Sequence, residues 1–401
     1  MANNNDKKVL NVPALRFPEF SGEWKSKFIN DLASVVSGGT PDTSVKSFWN
    51  GNIQWFTPSE IGKNKYVDSS LRTITEEGLN NSSAKLLPPH TILLSSRATV
   101  GECSLSLKEC ATNQGFQSLI AQSCDTNFLY YLIQTKKKDL IRKACGSTFL
   151  EISANEVRKI QVKIPYDNEQ KKIADFLSLI DERIFTQNKI IEKYESLIQA
   201  IIYKKKTDGI RKGNWQKTEL SKVLQERTEK NINGYTVCSV SVSQGVINQI
   251  EYLGRSFAAK ETSHYNVVKY GDIVYTKSPT GDFPYGIVKR SYIKNAVAVS
   301  PLYGVYKPIN DNIGVILHFY FMQPNNAFNY LYPLIQKGAK NTINITNTRF
   351  LENSIPLPKT EDEAVYIANA LTRIQTKIDI EKSLLRSYER EKQYLLRQMF
   401  I

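Results

Sequence analysis

The stretch from Pro165 to Asp208 carries the most regular hydrophobic pattern in the chain. Apolar side chains recur there in alternating steps of four and three, and the polar residue Gln187 occupies the step that would otherwise be skipped. Heptad spacing of this kind places one apolar stripe along an α-helix, and the stripe needs another helix to cover it. The positions of this predicted seam are Ile173, Leu177, Ile180, Ile184, Gln187, Ile191, Tyr194, Ile198 and Ile201.

The same pattern occurs again near the C-terminus. Adding 194 to each seam number reproduces the stripe, and the polar step then falls on Glu381. The positions of this second seam are Ile367, Leu371, Ile374, Ile378, Glu381, Leu385, Tyr388, Lys392 and Leu395. Each stretch also follows a proline and opens with the spacing of a capping box, which is a helix-start signal. The two predicted boxes are Asp167 with Gln170, and Thr360 with Glu363.

The two helices are predicted to pack against each other in antiparallel orientation as a coiled coil. When the midpoints of the seams are superposed, residue i faces about residue 568 − i, so that Ile173 meets Leu395. Gln187 then lies opposite Glu381, and one polar layer in an apolar seam can specify register at some cost in stability. We therefore predict a contact between these two side chains; the alternative is that both face solvent where the seam frays.

Around the helices, the chain is predicted to form two similar globular blocks of the α+β class, related by an internal duplication with a pseudo-two-fold axis. The spacing from Trp24 to Leu32 recurs between Trp215 and Val223 at a shift of 191. A length of 401 residues also suits two domains of ordinary size. The predicted boundaries are 1–163 for the first domain with 1–12 as a loosely ordered lead, 164–208 for a central helical spacer, 209–356 for the second domain and 357–401 for a C-terminal helical spacer.

The length of the spacer suggests a use for it. A seam of about thirty residues would be roughly 45 Å long at 1.5 Å per residue. Sites one turn apart on DNA are separated by about 34 to 36 Å. Helices of this size could therefore hold two DNA readers on successive turns of one face of the duplex.

The net charge favours a polyanionic partner. Lys and Arg number 53 against 39 Asp and Glu, which gives a formal charge of +14. Nucleic acid is the first candidate for such a partner and an anionic membrane surface the second. No apolar run of transmembrane length and no basic-then-apolar N-terminus is present. Membrane insertion and secretion are therefore not expected, and a cytoplasmic location is predicted.

Five cysteines without a C-x-x-C pair indicate reduced thiols, and three isolated histidines argue against a zinc site.

The first block contains several loops suited to DNA contact. Ser37-Gly38-Gly39-Thr40-Pro41 favours a tight turn whose backbone N–H groups could meet a phosphate, or it simply turns the chain. Arg, Asn and Gln match guanine and adenine edges, although an Asn-Gln-Gly is often only a turn and Trp55 is expected in the core rather than as a stacking platform. A lysine run on a helix could contact phosphates or be a solvated face. The candidate residues of this block are Gly38, Gly39, Thr40, Arg97, Thr99, Asn113, Gln114, Lys136 and Lys137.

The second block offers fewer candidates. A strand and loop, Gly271-Asp272-Ile273-Val274-Tyr275-Thr276-Lys277-Ser278, parallels the strand and loop that end at Arg97. The Gly-Gly-Thr-Pro turn and the Asn-Gln-Gly element have no clear copy there. We infer only that Lys277, Ser278 and Thr280 lie on a loop of matching position. The divergence suggests one frame that carries two different readers.

Four motifs combine with the duplication to give a resemblance to a known family. They are Pro13-Ala14-Leu15-Arg16-Phe17 with Trp24, Ser37-Gly38-Gly39-Thr40-Pro41, Ala111-Thr112-Asn113-Gln114-Gly115-Phe116, and Ile164-Pro165 leading through Glu169-Gln170-Lys171-Lys172-Ile173-Ala174 to Leu179-Ile180-Asp181. Nearly from end to end, the chain resembles the specificity subunit of type I restriction-modification enzymes. The departure of the second block from the pattern leaves its recognition residues undetermined.

The resemblance implies a division of labour among subunits. Two target-recognition domains would each read one half of a split, asymmetric double-stranded DNA sequence, with the helices setting the gap. Two copies of a separate modification subunit would dock on this frame and methylate adenine with S-adenosylmethionine. Restriction subunits would use ATP and Mg to translocate and cleave DNA. This chain would then have no catalytic residue, metal or cofactor of its own.

The residues agree with a chain that is not an enzyme. No Asn or Asp precedes a Pro-Pro-aromatic run, no G-x-x-x-x-G-K-[ST] loop occurs, and Pro41-Asp42 lacks a nearby acidic-x-Lys partner. A fused methyltransferase or nuclease is thus disfavoured, and an RNA binder lacks the usual aromatic motif. The main alternative is a basic coiled-coil scaffold protein without sequence-specific DNA recognition. A DNA reader would lose affinity steeply with salt, whereas a scaffold would show little DNA binding to lose.

Overall fold

The computed structural model describes residues 11–146, 150–255, 258, 261–337 and 343–401, so most of the predicted lead at 1–12 lies outside the described residues. The chain divides into two compact units. The first contains residues up to Lys189 together with Ser383–Ile401, and the second contains Ile190–Lys382. Each unit therefore includes a segment of both long helices.

The first unit combines three small sheets with short helices. Its strands are β1 Lys25–Phe28, β2 Ala33–Ser37, β3 Trp49–Phe56, β4 Tyr66–Val67, β5 Arg72–Ile74, β6 Ile92–Leu94, β7 Cys103–Ser106, β8 Cys110–Thr112, β9 Gln117–Ala121 and β10 Gln161–Ile164. Its helices are α1 Ile29–Leu32, α2 Glu76–Asn80, α3 Thr126–Thr135, α4 Lys137–Lys143 and α5 Ala154–Arg158, followed by the start of α6 Asp167–Lys212.

The core of the first unit forms around its five-stranded sheet, whose strand order is β2-β9-β6-β7-β4. The central strand β6 is a short apolar run with all three residues buried, as expected for a strand covered on both faces. Helix α3 packs on β7 and β9 and buries six consecutive residues, Phe128–Ile133. A three-stranded sheet, β5-β3-β8, lies at the side, and β1 pairs with β10.

The second unit repeats this plan. Its strands are β11 Trp215–Glu219, β12 Leu224–Glu226, β13 Cys238–Ser241, β14 Gly245–Asn248, β15 Asn266–Val268, β16 Ile273–Tyr275, β17 Val288–Arg290, β18 Val297–Val299, β19 Gly304–Pro308, β20 Gln336–Lys337, β21 Ile343–Asn344 and β22 Ser354–Pro358. Its helices are α7 Gln249–Leu253, α8 Asp311–Phe321, α9 Pro324–Leu331, α10 Asn347–Phe350 and most of α11 Glu361–Gln398.

The strand order of the second unit corresponds to that of the first. Its four-stranded sheet runs β12-β19-β16-β17, which matches β2-β9-β6-β7 position for position. The pair β11-β22 matches β1-β10, and α8 packs on β17 and β19 as α3 does on β7 and β9. The α+β class and the internal duplication predicted from the sequence are therefore confirmed.

In the first unit, the start of α6 and the end of α11 run antiparallel. Glu169 accepts a hydrogen bond from the indole of Trp24 at 3.3 Å, and the Trp24 ring lies 6.2 Å from that of Phe400, edge to face. Further along, Lys392 pairs with Asp181 at 2.7 Å. Residue numbers thus rise along α6 while they fall along α11. The lysine at this seam position is tolerated because a carboxylate neutralises it.

The second unit shows the same orientation between the end of α6 and the start of α11. The indole of Trp215 packs on Gly209, where a Cβ would overlap the ring, and donates to Glu363 at 3.1 Å. Lys382 pairs with Glu195 at 2.7 Å. The antiparallel packing of the helices is therefore observed within each unit.

Most of the predicted seam positions are shielded from solvent. Those that are buried are Ile173, Leu177, Ile180, Gln187, Ile191, Ile198, Ile367, Leu371, Ile378 and Leu395. Those of intermediate exposure are Ile184, Tyr194, Ile201, Ile374, Glu381, Leu385, Tyr388 and Lys392. The contact between Gln187 and Glu381 stays a prediction. Helix α6 extends past the predicted spacer end at 208 as far as Lys212, because Gly209 provides room for an indole rather than a helix stop.

The predicted capping box of α6 is wrong. Asp167 is the first helical residue rather than the cap, and the Gln170 side chain donates to the Pro165 carbonyl while accepting from the amide of Asp125 at 3.0 Å. The glutamine therefore ties the helix start to the beginning of α3.

The predicted capping box of α11 is half formed. Thr360 accepts from the Glu363 amide at 3.4 Å, but the Glu363 carboxylate goes to Trp215 instead of the cap backbone.

The two Trp–Glu contacts lead to a prediction about stability. The carboxylate of Glu169, 1% exposed, also pairs with Arg16 through two bonds of 2.7 Å, whereas Glu363 holds only its tryptophan among the described side chains. Glu169→Ala would leave the poorly solvated guanidinium of Arg16 without its carboxylate partner, and should lower the free energy of unfolding by about 3–5 kcal/mol. Glu363→Ala should cost only about 1–3 kcal/mol, the usual loss for an unsatisfied neutral donor.

Denaturant unfolding of the full chain would measure both losses, with Glu169→Gln as the variant that keeps side-chain volume but removes the charge. Equal losses for the two alanine variants would contradict the importance of the Arg16 pair.

Candidate nucleic-acid interface

The Gly-Gly-Thr-Pro turn follows β2 and packs against the end of β8. The amide of Gly39 donates to the Thr112 carbonyl at 2.9 Å, so this N–H is not available to a phosphate. A Cβ on Gly38 would overlap the carbonyl oxygen of Asn113, and one on Gly39 would overlap the backbone of Ala84. Neither glycine has a positive φ. Close backbone approach thus requires both glycines, and the amide of Gly39 already has a partner within the fold.

The hydroxyl of Thr40 nevertheless reaches a candidate reader. It donates to Oε1 of Gln114, whose side chain is exposed. Asn113 is occupied differently: its amide donates to the Phe56 carbonyl, and its side-chain oxygen accepts from the Gly115 amide at 2.9 Å, which closes a turn. Gln114 is therefore the residue of this turn that is presented to solvent, with its carboxamide oriented by Thr40.

The loop between β6 and β7 lies beside this turn. The amide of Ser96 donates to the Gly115 carbonyl at 2.8 Å, and the two loops are thereby joined at their bases. Thr99 is exposed, whereas Arg97 donates to Glu151 through Nε at 3.0 Å and Nη2 at 2.5 Å. The guanidinium of Arg97 is thus compensated by an acidic side chain within the unit.

The two candidate lysines are also engaged within the unit. Lys136 donates to the backbone oxygen of Ile401 at 2.8 Å, and burial lowers its pKa. Lys137 forms an ion pair with Glu102. Both therefore help to hold the α3–α4 junction to its neighbours. A phosphate would have to compete with these partners.

The second unit places Lys277, Ser278 and Thr280 on the loop between β16 and β17, as expected from the parallel with β6 and β7. Ser278 and Thr280 are exposed, and the Lys277 backbone has a left-handed φ of 60°. Thr280 and Phe283 exchange two backbone hydrogen bonds of 3.0 Å, which makes the loop a tight hairpin. The loop has twelve residues, 276–287, against eight, 95–102, in the first unit.

Two aromatic features near these loops were missed from the sequence. In the second unit, Tyr285, Phe328 and Tyr332 form a ring cluster with centroid distances of 5.3 to 6.0 Å, in which Phe328 and Tyr332 are exposed. The i,i+4 spacing of Phe328 and Tyr332 could have indicated their stacking.

In the first unit, the guanidinium carbon of Arg72 lies 3.5 Å from the centroid of the Trp49 ring. No local spacing signals that pair, because it forms across β-strands. Trp55 is 3% exposed and lies in the core, as expected.

A groove of about 1470 Å³ opens in the first unit beside the helix segments. Within it Asp181 accepts from the Tyr131 hydroxyl at 2.6 Å and pairs with Lys392, while Lys65 donates to Ser178 at 2.7 Å. Burial lowers the pKa of Lys65 to about 8, against the opposing effect of Asp181. The groove is thus lined by partly buried side chains of both positive and negative charge.

Other site chemistries find little support. The five cysteines are free, and burial raises the pKa of Cys103, Cys110 and Cys124 to about 12. Thiols of this kind are unreactive at neutral pH. Among the described residues, no group of three or more acidic, histidine or cysteine side chains could hold a metal ion. Within the same ranges, no helix has the length and apolarity needed to cross a bilayer.

Comparison with known families gives a match in both halves of the chain. The family model described as "Type I restriction modification DNA specificity domain" matches residues 21–196 and again residues 215–390. The specificity subunit of the type I restriction enzyme MjaIX of Methanocaldococcus jannaschii is 36% identical over 179 residues, covering 43% of this chain and 41% of the relative. The EcoR124I/EcoR124II specificity subunit of Escherichia coli is 31% identical over 175 residues, covering 42% and 43%. Each alignment thus spans less than half of the relative.

Solved structures share the fold. The S subunit of a type I restriction-modification system from M. genitalium superposes with a TM-score of 0.57 at 15% identity, covering 97% of this chain and 99% of that one. A chain from a type I system solved for its complex assembly and conformational transition gives a TM-score of 0.50 at 13% identity, covering 93% and 96%.

Close packing at Gly38 leads to a prediction about the first loop cluster. Gly38→Ala forces a methyl group into the backbone of Asn113 and should cost about 1–3 kcal/mol of stability, the usual range for overpacking. Because the same clash displaces the turn that carries Gln114, DNA binding should weaken as well. Thr40→Ser keeps the hydroxyl bond to Gln114 and serves as the control. Thermal unfolding and DNA titration would measure both effects; wild-type values for Gly38→Ala would contradict the packing.

Burial of Lys65 leads to a prediction about pH. Its pKa in the folded chain is about 8 against an ordinary value of 10.5, so between these pH values the unfolded chain binds more protons. Stability contributed by this residue therefore rises with pH across that window. Lys65→Met removes the titration, so the stability of the variant relative to the wild type should be greatest at pH 7.5 and decline toward pH 10.5. Urea unfolding at both pH values measures this difference, and a constant difference would contradict it.

Proposed function

This chain belongs to the family of type I restriction-modification DNA specificity domains, whose model matches both of its halves, and from that premise we propose that it is the sequence-specific DNA-binding subunit of a type I restriction-modification complex. The repeated match is the observation that carries the proposal. It favours two readers in one chain over a basic scaffold, because a scaffold would need the helices but not two copies of a recognition domain.

Each unit reads one part of a bipartite, asymmetric DNA site. The shared strand order supports two domains of one kind, and the different loops support two different base sequences. The first unit presents Thr40, Thr99 and Gln114, whereas the second presents a hairpin with Ser278 and Thr280 beside an aromatic cluster. Sequence is read through contacts to base edges, so loops that differ in length and chemistry read different bases.

The two long helices serve as spacer and docking frame. They set the number of unread base pairs between the half-sites, and two modification subunits dock on them. The exposed side chains of Leu179, Phe185 and Tyr394, each about half accessible, lie on these helices and supply apolar surface for such docking. The groove beside Lys65 and Asp181 adds a concave surface in the first unit.

Catalysis resides in the partner subunits. Adenine methylation with S-adenosylmethionine belongs to the modification subunits, and ATP- and Mg-dependent translocation and cleavage belong to restriction subunits. The absence from this sequence of an adenine-methyltransferase motif and of a phosphate-binding loop supports that assignment. The chain supplies the DNA address at which its partners act.

Mapping of methylated adenine tests this function. The chain is co-expressed with its modification subunit in a methylation-free host, and methyladenine is located across the genome. We expect a two-part motif with an unread gap of constant length, in which only one half changes when residues 1–160 are exchanged for those of a homologue. A continuous motif would contradict the spacer role, and a stable complex without methylation would favour the scaffold alternative.

Salt dependence distinguishes the same two alternatives in vitro. A chain that neutralises six to ten phosphates should lose roughly 10³- to 10⁵-fold in DNA affinity between 50 and 200 mM salt. Titration of the complex on duplex DNA across that range measures the slope. Weak binding with a flat slope is the behaviour of a protein scaffold.

A further inference from the structure

We propose that the turn carrying Leu71 and Arg72 is a base-reading element of the first domain, with Arg72 recognising a guanine edge in the major groove of DNA. The proposal deepens the proposed function and rests on it. None of the loops that the sequence indicated includes this turn, which lies where β5 begins at the edge of the β5-β3-β8 sheet.

The backbone of the turn is held in place by side chains. Glu60 accepts from the amide of Leu71 at 2.6 Å, and Gln54 accepts from the amide of Ser70 at 2.7 Å. The hydroxyl of Ser70 donates to the carbonyl of Arg72 at 2.6 Å. Three polar side chains thus restrain three successive residues. A turn restrained in this way loses little entropy when its side chains bind a ligand.

Two side chains of this restrained turn are exposed to solvent. Leu71 is 86% exposed, and Arg72 is exposed as well. An apolar side chain that is so accessible on a restrained turn does not stabilise the folded chain. Apolar contact with the methyl group of thymine is one of the ordinary base-specific contacts in the major groove.

The guanidinium of Arg72 is preorganised by stacking. Its central carbon lies 3.5 Å from the centroid of Trp49 and 5.7 Å from that of Trp55. Both indoles are themselves anchored, since Trp49 donates to the carbonyl of Asp42 at 3.0 Å and Trp55 donates to that of Gly39 at 2.9 Å. Stacking occupies the face of the guanidinium and leaves its N–H donors at the edge, where two parallel hydrogen bonds can form.

The charge of Arg72 is not neutralised within the part of the chain that the structure describes. No acidic side chain there forms an ion pair with it, whereas Arg97 is paired with Glu151 and Lys137 with Glu102. Bidentate contact of arginine with O6 and N7 of guanine is the most frequent specific contact between proteins and DNA. An exposed, stacked and uncompensated guanidinium is suited to that contact.

The turn is also continuous with the loops described above. Arg72 pairs across the strands with Trp55, and Trp55 pairs with Ala111 on β8. Strand β8 leads directly into Gln114, and the carbonyl of Gly39 that holds Trp55 precedes Thr40. The end of the β5-β3-β8 sheet at which β3 finishes therefore carries an arginine and a glutamine, the side chains suited to guanine and to adenine.

The test uses the full chain in complex with its modification subunit. Genome-wide methyladenine maps are compared for the wild type, Arg72→Ala, Arg72→Lys and the control Arg142→Ala, which alters another exposed arginine of the first unit, on α4. With Arg72→Ala we expect one base of one half-site to relax, with a loss of roughly 5- to 150-fold in preference for that base. The other half-site and the gap should stay unchanged, which shows that the complex is intact.

Arg72→Lys separates base reading from simple charge. A lysine keeps the charge but lacks the planar fork of the guanidinium that holds two parallel bonds and stacks on an indole, so it should relax the same base as alanine does. Uniformly weaker methylation of an unchanged motif, restored by lysine, would mean a phosphate contact and would overturn the proposal. An unchanged map for Arg72→Ala, or equal changes with Arg142→Ala, would overturn it as well. A wild-type complex without a bipartite motif would instead refute the proposed function.

Discussion

An amphipathic helix that carries an apolar stripe over many turns must cover that stripe, and this requirement organises the chain. The core of the first unit contains Ile173 and Leu177 from the start of α6 together with Leu395 from the end of α11 and Met399 and Phe400 just after it. The last residues of the chain thus complete a core whose first residues lie near the N-terminus. Next to these residues, Glu169 accepts hydrogen bonds from Trp24 and Arg16. It thereby links the start of α6, the residue before β1 and the N-terminal segment in one buried network.

The duplication explains how one frame can support two different surfaces. In each unit a tryptophan at or just before the first strand contacts a glutamate in the first turn of one long helix. Its ring also packs at the C-terminal end of the other long helix, against Phe400 in the first unit and Gly209 in the second. Four strands then follow in the same spatial order. The loops at β6–β7 and β16–β17 both have a glycine with positive φ as their next-to-last residue, Gly101 and Gly286, yet differ in length. Buried contacts constrain the frame, whereas exposed loops are free to diverge.

How far the sequence predicts the structure depends on the range of the interaction. The helices, their antiparallel packing and the duplication follow from periodicity, which is a local property repeated along the chain. The capping box at Asp167 fails because Gln170 is claimed by a distant partner, the amide of Asp125. The predicted spacer end at 208 likewise fails, because the helix continues through Gly209, whose open side Trp215 occupies. In both cases tertiary contact overrides a correct local preference.

In the candidate interface, tertiary contacts limit prediction from the sequence even more. Residue type identifies Arg97, Lys136 and Lys137 as cations, but their value for DNA binding depends on what already neutralises them. Glu151 neutralises Arg97 and Glu102 neutralises Lys137, while Lys136 donates to a backbone oxygen of Ile401. These partners are separated from the cations by tens to hundreds of residues.

The net charge of +14 is therefore a poor guide to the site, because many cations are compensated within the fold. A cation becomes a reader where the fold orients it by means other than an opposite charge. Stacking on an indole does this, since it restricts a guanidinium while leaving its charge and its donor edge unused. Arg72 meets that condition through Trp49, which is contributed by a neighbouring strand. The sequence contains both residues, but only the pairing of β3 with β5 brings them together, so no sequence motif identifies the arginine that we propose as a base reader.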